Sequence, residues 1–454
     1  MRIRVLAMGL VLCVAALLSG CDTTSFFGEP AMPQPSALNT IMMMDHLNVQ
    51  NYMTLYFPVS DYSHMAAEQR VLTTEGQPYR QAVLACLAGP QSGDLVQILP
   101  PNTELLDCFV SESIAFVHFD TRFLHLTERE RIVARACLTQ TLTTFPEIEY
   151  VQILVNYQCM TIGGTAVGPA QRGDGGLPEW TATQDRMVIL FFQDAHNNYL
   201  IPEVRRIEGY SDPVRAVVAE LARGPQDLSK ENTLSTGLKL VSDPEFDSVA
   251  RTLTVELSAD ILSNSLDVRY EQMAMGSLVL SLTQSVPGVS YVRFLVQGHE
   301  SDPWEAVHFR SLLGYRVCLF FPNEPNGKLT PVYRAVALDK DTIAAVAEET
   351  LRGPLTAEIP MYDLKRTRNL SACLLETKLA NGIAEVWLSG DIITATAYME
   401  PQTLRTWAYA LVNGIGNLSG VRWTMLCVDT DQKQLHDVLS INTPLLPNPG
   451  LQMQ

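Results

Sequence analysis

The phrase "ELARGPQ", Glu220 to Gln226, has two near copies in the chain, "ACLAGPQ" from Ala85 and "ETLRGPL" from Glu349. The Gly-Pro pairs begin at 89, 224 and 353, so the intervals are 224 − 89 = 135 and 353 − 224 = 129. Such spacing marks an internal repeat. A single Leu-x-Gly-Pro is only a helix stop, since glycine takes the left-handed conformation that closes a helix and proline cannot extend it. In the second copy Ser211 and Asp212 are N-cap candidates and Pro213 suits the first turn. Val214, Val217, Val218 and Leu221 then share one helix face.

The surroundings repeat as well. A short apolar strand precedes each Gly-Pro: "LYFP" from Leu55, "LFFQ" from Leu190 and "LFFP" from Leu319. After each comes an alternating strand ending in an acid: "AFVHFD" to Asp120, "LTVELSAD" to Asp260 and "AEVWLSGD" to Asp391. Period-two alternation indicates a strand with one buried face. A second helix follows: Thr127 and Glu130 have capping-box spacing in the first copy, the second runs from Tyr270 to Ser285, and Pro401 opens the third. An apolar strand closes each unit, "YVQILV", "YVRFLV" and "VRWTMLCV", after a breaker at Pro146, Pro287 or Gly416.

Each copy, about 110 to 120 residues, is long enough to bury its own core. The expected fold class is α+β: three tandem small two-layer domains, each a mixed or antiparallel sheet packed by two helices. The expected division is a signal peptide at 1–20, a lipidated N-terminus and tether at 21–50, and domains at 51–161, 185–302 and 316–432. A Gly-rich linker (162–184), a shorter join (303–315) and a C-terminal tail (433–454) complete it. The shorter join implies closer coupling of the second and third domains than of the first and second.

The N-terminus gives an address. Arg2 and Arg4 form a basic region, Val5 to Leu18 is apolar, and "LSGC" ends at Cys21. That pattern resembles a bacterial lipoprotein signal in which Cys21 is lipidated and becomes the mature N-terminus. Two acyl chains on a diacylglyceryl group hold a protein stably, at roughly 0.8 kcal/mol per buried methylene. The expected localisation is the cell membrane, lipid-anchored on the extracytoplasmic face. "IMMM" at 41–44 is read as packing on the first domain.

Lys and Arg number 32 against 49 Asp and Glu, a net charge of −17 that argues against nucleic acid as a partner. Beyond Cys13 in the signal and Cys21, cysteines fall at 86, 108, 137 and 159, then at 318, 373 and 427, with none in the second copy. Disulfides therefore do not define the repeated fold. Cys137 reads as a small buried hydrophobe, while a Cys108–Cys159 or Cys318–Cys427 bridge stays open.

Reactive constellations are not evident. The eight histidines form no HExxH pair, and there is no GxSxG, SxxK or CxxC. His118 reads as a strand-face residue, since the other copies carry Glu256 and Trp387 there. "GIGNLSG", Gly414 to Gly420, joins a helix to a strand and is a helix stop, not a dinucleotide loop. "RGD" at Arg172 to Asp174 reads as accidental. Asp120, Asp260 and Asp391 read as turn-capping residues, because no second acid is placed to pair with any of them. No catalytic residue, cofactor or metal site is expected.

With the repeated "LxxGP", the strand "LTVELSADIL" at Leu253 to Leu262 and the closing "YVxxLV" in place, each unit resembles the GerMN domain family of sporulation and germination. The resemblance covers Asn51 to Gln158, Met187 to Glu300 and Arg316 to Thr430, and is weakest around "IPMYDLKRTRNLSACLLETKLANG". It implies a lipoprotein or membrane-anchored envelope protein, a fold similar to ring-building modules, and no established catalytic residues. The implied function is a non-enzymatic scaffold with envelope protein partners; a peptidoglycan binder or hydrolase using Asp260 or Glu256 is the alternative.

Overall fold

The computed structural model describes residues 52–72, 77–174, 186–196, 199–207, 212–235, 237–258, 268–323, 328–355, 369–418, 420–430 and 433–452. The signal at 1–20, Cys21, the tether, the Met-rich patch at 41–44, Ser211 and Asp260 lie outside the described residues.

The first repeat opens with an antiparallel hairpin, β1 (Tyr52–Pro58) and β2 (Met65–Val71), followed by helix α1 (Pro78–Ala88). Strands β3 (Leu105–Ser111) and β4 (Ile114–Phe119) pair antiparallel, and helix α2 (Glu128–Leu142) crosses over to β5 (Tyr150–Val155), parallel to β4. Short strands β6 (Gln158–Cys159), β7 (Thr161–Ile162), β8 (Thr165–Ala166) and β9 (Ala170–Gln171) follow, β9 returning antiparallel to β5. Thr127 and Glu130 form the expected capping box: Thr127 N donates to Glu130 Oε2 at 2.8 Å and Glu130 N to Thr127 Oγ1 at 3.3 Å.

The second repeat runs β10 (Arg186–Asp194), β11 (Leu200–Ile207), α3 (Pro213–Arg223), β12 (Lys230–Glu231), β13 (Glu245–Asp247), β14 (Thr252–Leu257), α4 (Val268–Ser285), β15 (Tyr291–Val296), β16 (His299–Glu300) and β17 (Trp304–Glu305). The third runs β18 (Gly314–Asn323), β19 (Lys328–Ala337), α5 (Thr342–Arg352), β20 (Leu374–Ala380), β21 (Ile383–Leu388), α6 (Asp391–Ala395), α7 (Pro401–Gly416), β22 (Trp423–Val428), β23 (Gln434–Leu435), β24 (Leu439–Ser440) and β25 (Pro444–Leu445). In all three a hairpin and first helix precede an antiparallel strand pair, and a second helix leads to a parallel partner: β4 with β5, β14 with β15, β21 with β22. The fold class is α+β, as the sequence implies.

Segments read as linkers or tail add strands to the sheets. Gln171 of β9 pairs with Tyr150, Glu305 of β17 with Tyr291, and Leu445 of β25 with Thr424. An edge strand leaves its amides and carbonyls unpaired, and the returning segment satisfies part of that edge. The "RGD" is folded into the turn after β9, where Asp174 Oδ2 accepts from Gln171 N at 2.7 Å.

Each repeat buries an apolar centre between sheet and helices: Leu55, Phe57, Val117 and Leu138 in the first, Leu190, Val217, Val255 and Leu278 in the second, Leu319, Val346, Val386 and Leu411 in the third. Burying one such side chain stabilises by roughly 1.5–3 kcal/mol. The expected order of coupling is not the one found. Phe109, Ile114, Phe116, Leu154 and Cys159 of the first repeat belong to the second repeat's apolar cluster, whereas the third keeps its own. The reason lies in β4, buried at every position, while β14 and β21 each leave two positions partly open. Ala115, Val117 and Phe119 face their own helices; Ile114 and Phe116 face the second repeat.

Candidate functional site

The Gly-Pro phrase proves to be half of a repeated contact whose other half is an arginine. Arg70, Arg205 and Arg334 lie on β2, β11 and β19, and the separations agree: 89 − 70, 224 − 205 and 353 − 334 are each 19. Each guanidinium donates to the carbonyl of its glycine, at 3.1 Å for Arg205 to Gly224 and for Arg334 to Gly353, with Arg70 bonding Gly89 likewise. Each also reaches a carbonyl in the last helical turn: Ala85 at 3.2 Å, Glu220 at 3.3 Å and Glu349 at 3.4 Å. A helix ends in carbonyls without intrahelical partners and carries partial negative charge, so a buried cation there answers both needs. Each arginine further lies over a phenylalanine 13 residues earlier, Phe57, Phe192 or Phe321, 5.5–5.7 Å from the ring centroid.

A carboxylate balances each arginine, but from changing places. In the first repeat it is Glu68, two residues before Arg70, at 2.6 Å; in the third it is Glu349 on the helix, at 2.7 Å. The second uses both positions, Glu203 and Glu220, the latter at 2.9 Å. Burial raises the Glu68 pKa, yet hydrogen bonds from Arg70 and from Ser92 and Gln91 amides outweigh it and hold the carboxyl below its ordinary value.

The glycines depart from the left-handed helical stop expected of them. Their φ values are 86°, 91° and 90°, with ψ of 173°, 177° and 174°. Proline disfavours a helical ψ in the residue before it, and the resulting region is open essentially to glycine alone. The chain therefore leaves the helix extended, with the glycine carbonyl turned to the arginine.

Charged side chains of all three repeats meet at one junction. Arg316 on β18 grips Glu112, which follows β3, with Nε to Oε1 at 2.8 Å and Nη2 to Oε2 at 2.6 Å. Arg316 Nη2 also reaches Asp227 Oδ2 at 2.8 Å, and Nη1 bonds Ser229 Oγ. Buried Lys230 completes the group, donating to Pro202 O at 3.0 Å and standing 3.7 Å from Asp227 and 3.8 Å from Glu203. Burial raises the Asp227 pKa, but hydrogen bonds from Ser229 and Arg316 prevail and hold it well below the carboxylate range. Burial pulls the Lys230 pKa down, opposed by Glu112 and Glu203. Beside the junction opens a cleft of about 1670 Å³ lined by Tyr79, Tyr315, Tyr333, Lys340, Lys378 and Arg422 among others. Gln77 and Thr342 bridge the first and third repeats next to it at 3.4 Å.

Asp120 and Asp391, two of the acids singled out by sequence, lie in different repeats and make separate contacts. Asp120 stands six positions after the start of its strand and Asp391 eight, so the two are not equivalent. Asp120 accepts from Glu104 N at 3.2 Å and pairs with Arg122, bracing a turn, and Asp391 opens α6. Glu256 lies on β14. The seven cysteines from 86 to 427 are free; Cys108 sits in the first repeat's core, and Cys159 faces the second, with Sγ 3.4 Å from Val286 O. Cys137 is buried as expected. Among the described residues no group of three or more His, Cys, Asp or Glu is placed to hold a metal ion, and no helix is long and apolar enough to cross a membrane. The constant Arg-to-Gly separation of 19 was the signal available for the arginines, hidden because their acidic partners move.

Comparison with known proteins agrees with the repeat pattern. The spore germination protein GerM of Bacillus subtilis (strain 168) is 27% identical over 213 residues, 44% of this chain and 58% of the relative's length. Among solved structures, the tandem GerMN domains of the Bacillus subtilis sporulation protein GerM align at 21% identity over 56% of this chain and 96% of theirs, with a TM-score of 0.26. The first GerMN domain of that protein aligns over 27% of this chain and 99% of its own, at 22% identity and a TM-score of 0.25. The family model Germane, described as sporulation and spore germination, matches residues 54–158 and 189–302, the first two repeats, whose topology the third reproduces. The first two repeats thus match the Germane family model, and the chain is similar to GerM-type proteins with GerMN domains.

Proposed function

We propose that this chain is a sporulation or germination protein that acts without catalysis, as a scaffold held at the outer face of the cell membrane by a lipid on Cys21. The observation that carries the reading is the Germane match over both of the first two repeats, joined to the named relative. What the charged side chains do supports it: at the Gly-Pro contacts and at the junction they hold chain segments and repeats together. Three repeats joined this way offer broad surfaces in a set arrangement, the property a scaffold needs, with envelope proteins as partners. The test is a strain lacking the protein, scored for spore yield and germination, then complemented with wild type or Cys21→Ala. Restoration by wild type but not by Cys21→Ala is expected; a strain that sporulates and germinates normally without the protein contradicts the reading.

One observation favours a second reading, binding to peptidoglycan. The cleft beside the junction carries Tyr79, Tyr315 and Tyr333 with cations and acids on its walls, a mixture suited to a polar polymer. Co-sedimentation of residues 22–454 with purified cell wall separates the two, since the scaffold reading expects the protein to stay in the supernatant.

A further inference from the structure

His118 occupies a place that the repeat does not require. It lies on β4 at 5% exposure, and neither ring nitrogen has a hydrogen-bond partner. Its ring packs against Tyr157, centroids 4.9 Å apart, and against Phe109 at 5.7 Å, and both neighbours pack with the second repeat's apolar cluster. Directly across the antiparallel pair from His118 stands Asp107. That carboxylate is already engaged, with Arg310 Nε at 2.8 Å and Nη2 at 2.7 Å. Arg310 sits on the 3-10 segment Ala306–Leu312, which follows β17, so the Asp107–Arg310 pair spans the seam between the first and second repeats.

We propose that His118 is a proton-operated switch on this seam, neutral and locking when deprotonated, and loosening the contact between the first two repeats when protonated. The neutral ring behaves as an aromatic filler among Phe109 and Tyr157. A proton on either nitrogen places a cation in an apolar setting with Asp107 as the anion facing it, and Asp107 must then divide between His118 and Arg310. Of the groups that face the ring, Asp107 on β3 favours the proton, Arg310 opposes it, Tyr157 supplies a neutral phenol and Leu154 on β5 is apolar. Burial dominates and lowers the His118 pKa from 6.5 to about 4. A lowered folded-state pKa leaves stability intact above 6.5 and erodes it as pH falls toward 4, by on the order of a hundredfold in the folding constant. The other repeats place Glu256 and Trp387 at this position, so the device belongs to the first repeat alone.

The experiment is hydrogen exchange read by mass spectrometry on residues 22–454 between pH 7 and pH 4.5, corrected for intrinsic rates. It compares wild type with His118→Phe, which keeps an apolar ring, and His118→Gln, which is polar but takes no proton. Expected is an acid-driven rise in exchange at Leu105–Ser111 and Ala306–Leu312 in wild type, absent in either variant, with β18 and β19 unchanged. A flat wild-type profile, or the same rise in a folded variant, overturns the proposal. Titration of the His118 ring by NMR in wild type needs no variant, and a midpoint at or above 6 likewise overturns it.

Discussion

Arg334 Nη2 donates to the carbonyl of Gly353 at 3.1 Å while its Nη1 holds the Glu349 carboxylate at 2.7 Å, so one buried side chain ties β19 to the end of α5. The same contact stands in all three repeats with the same separation along the chain. It explains why Gly-Pro recurs: the glycine supplies a carbonyl in a conformation that few other residues adopt, and the arginine closes the helix from outside it.

Removing the arginine leaves the buried Glu349 with only the exposed Arg352, at 2.7 Å, as a cation partner. Arg334→Met is expected to destabilise the protein by about 3–5 kcal/mol, and Arg334→Met with Glu349→Leu to recover much of that loss. Urea titration followed by fluorescence and circular dichroism measures both; equal losses in single and double variants contradict the assignment.

Gly224→Ala forces a side chain into φ 91°, ψ 177° and brings its Cβ to 3.3 Å from Asn232 Nδ2. A cost of about 1–3 kcal/mol follows. Gly93→Ala, where nothing lies within 4 Å, is the control expected to change stability little.

Arg316→Ala deletes a side chain that hydrogen-bonds both Glu112 and Asp227, leaving them the more distant Lys230, and a loss of about 3 kcal/mol at the junction is expected. Limited proteolysis reads it as faster cleavage between the second and third repeats. The Asp227 pKa is held below its unfolded value, so its share of stability is present above the ordinary pKa of 3.8 and lost only as pH falls through the lower folded value. Mild acid should therefore leave this junction closed.

Burial pushes the thiols of Cys86, Cys108 and Cys159 up to about 12. At pH 8 roughly one in ten thousand of each is thiolate, and iodoacetamide should leave them unmodified in the folded protein. Half-buried Cys318 is expected to react first, which peptide mapping checks; rapid modification of Cys86 speaks against this core.

Much of this was legible in the sequence because the informative residues repeat. The strand, Gly-Pro helix end, strand pair and second helix announce themselves three times, and Asp212, Thr127, Pro213 and Pro401 mark helix starts by local chemistry alone. What stayed hidden depends on neighbours distant in sequence. Arg205 meets Gly224 through a helix end, and its acid moves between strand and helix from copy to copy. Glu112 and Arg316 are 204 residues apart. The double burial of β4 was half visible, since Phe116 replaces the Thr254 and Glu385 of the other copies, but only packing reveals what covers it. Linker and tail residues such as Gln171 and Leu445 lacked strand patterning because each contributes only two residues to a sheet.

Crosslinking in intact cells, vegetative and sporulating, followed by capture and mass spectrometry, tests the scaffold reading most directly, with Cys21→Ala as the unanchored control. The account predicts a defined set of envelope proteins recovered with the wild type and lost with Cys21→Ala. Recovery of wall fragments alone, or of the same proteins without the anchor, would contradict it.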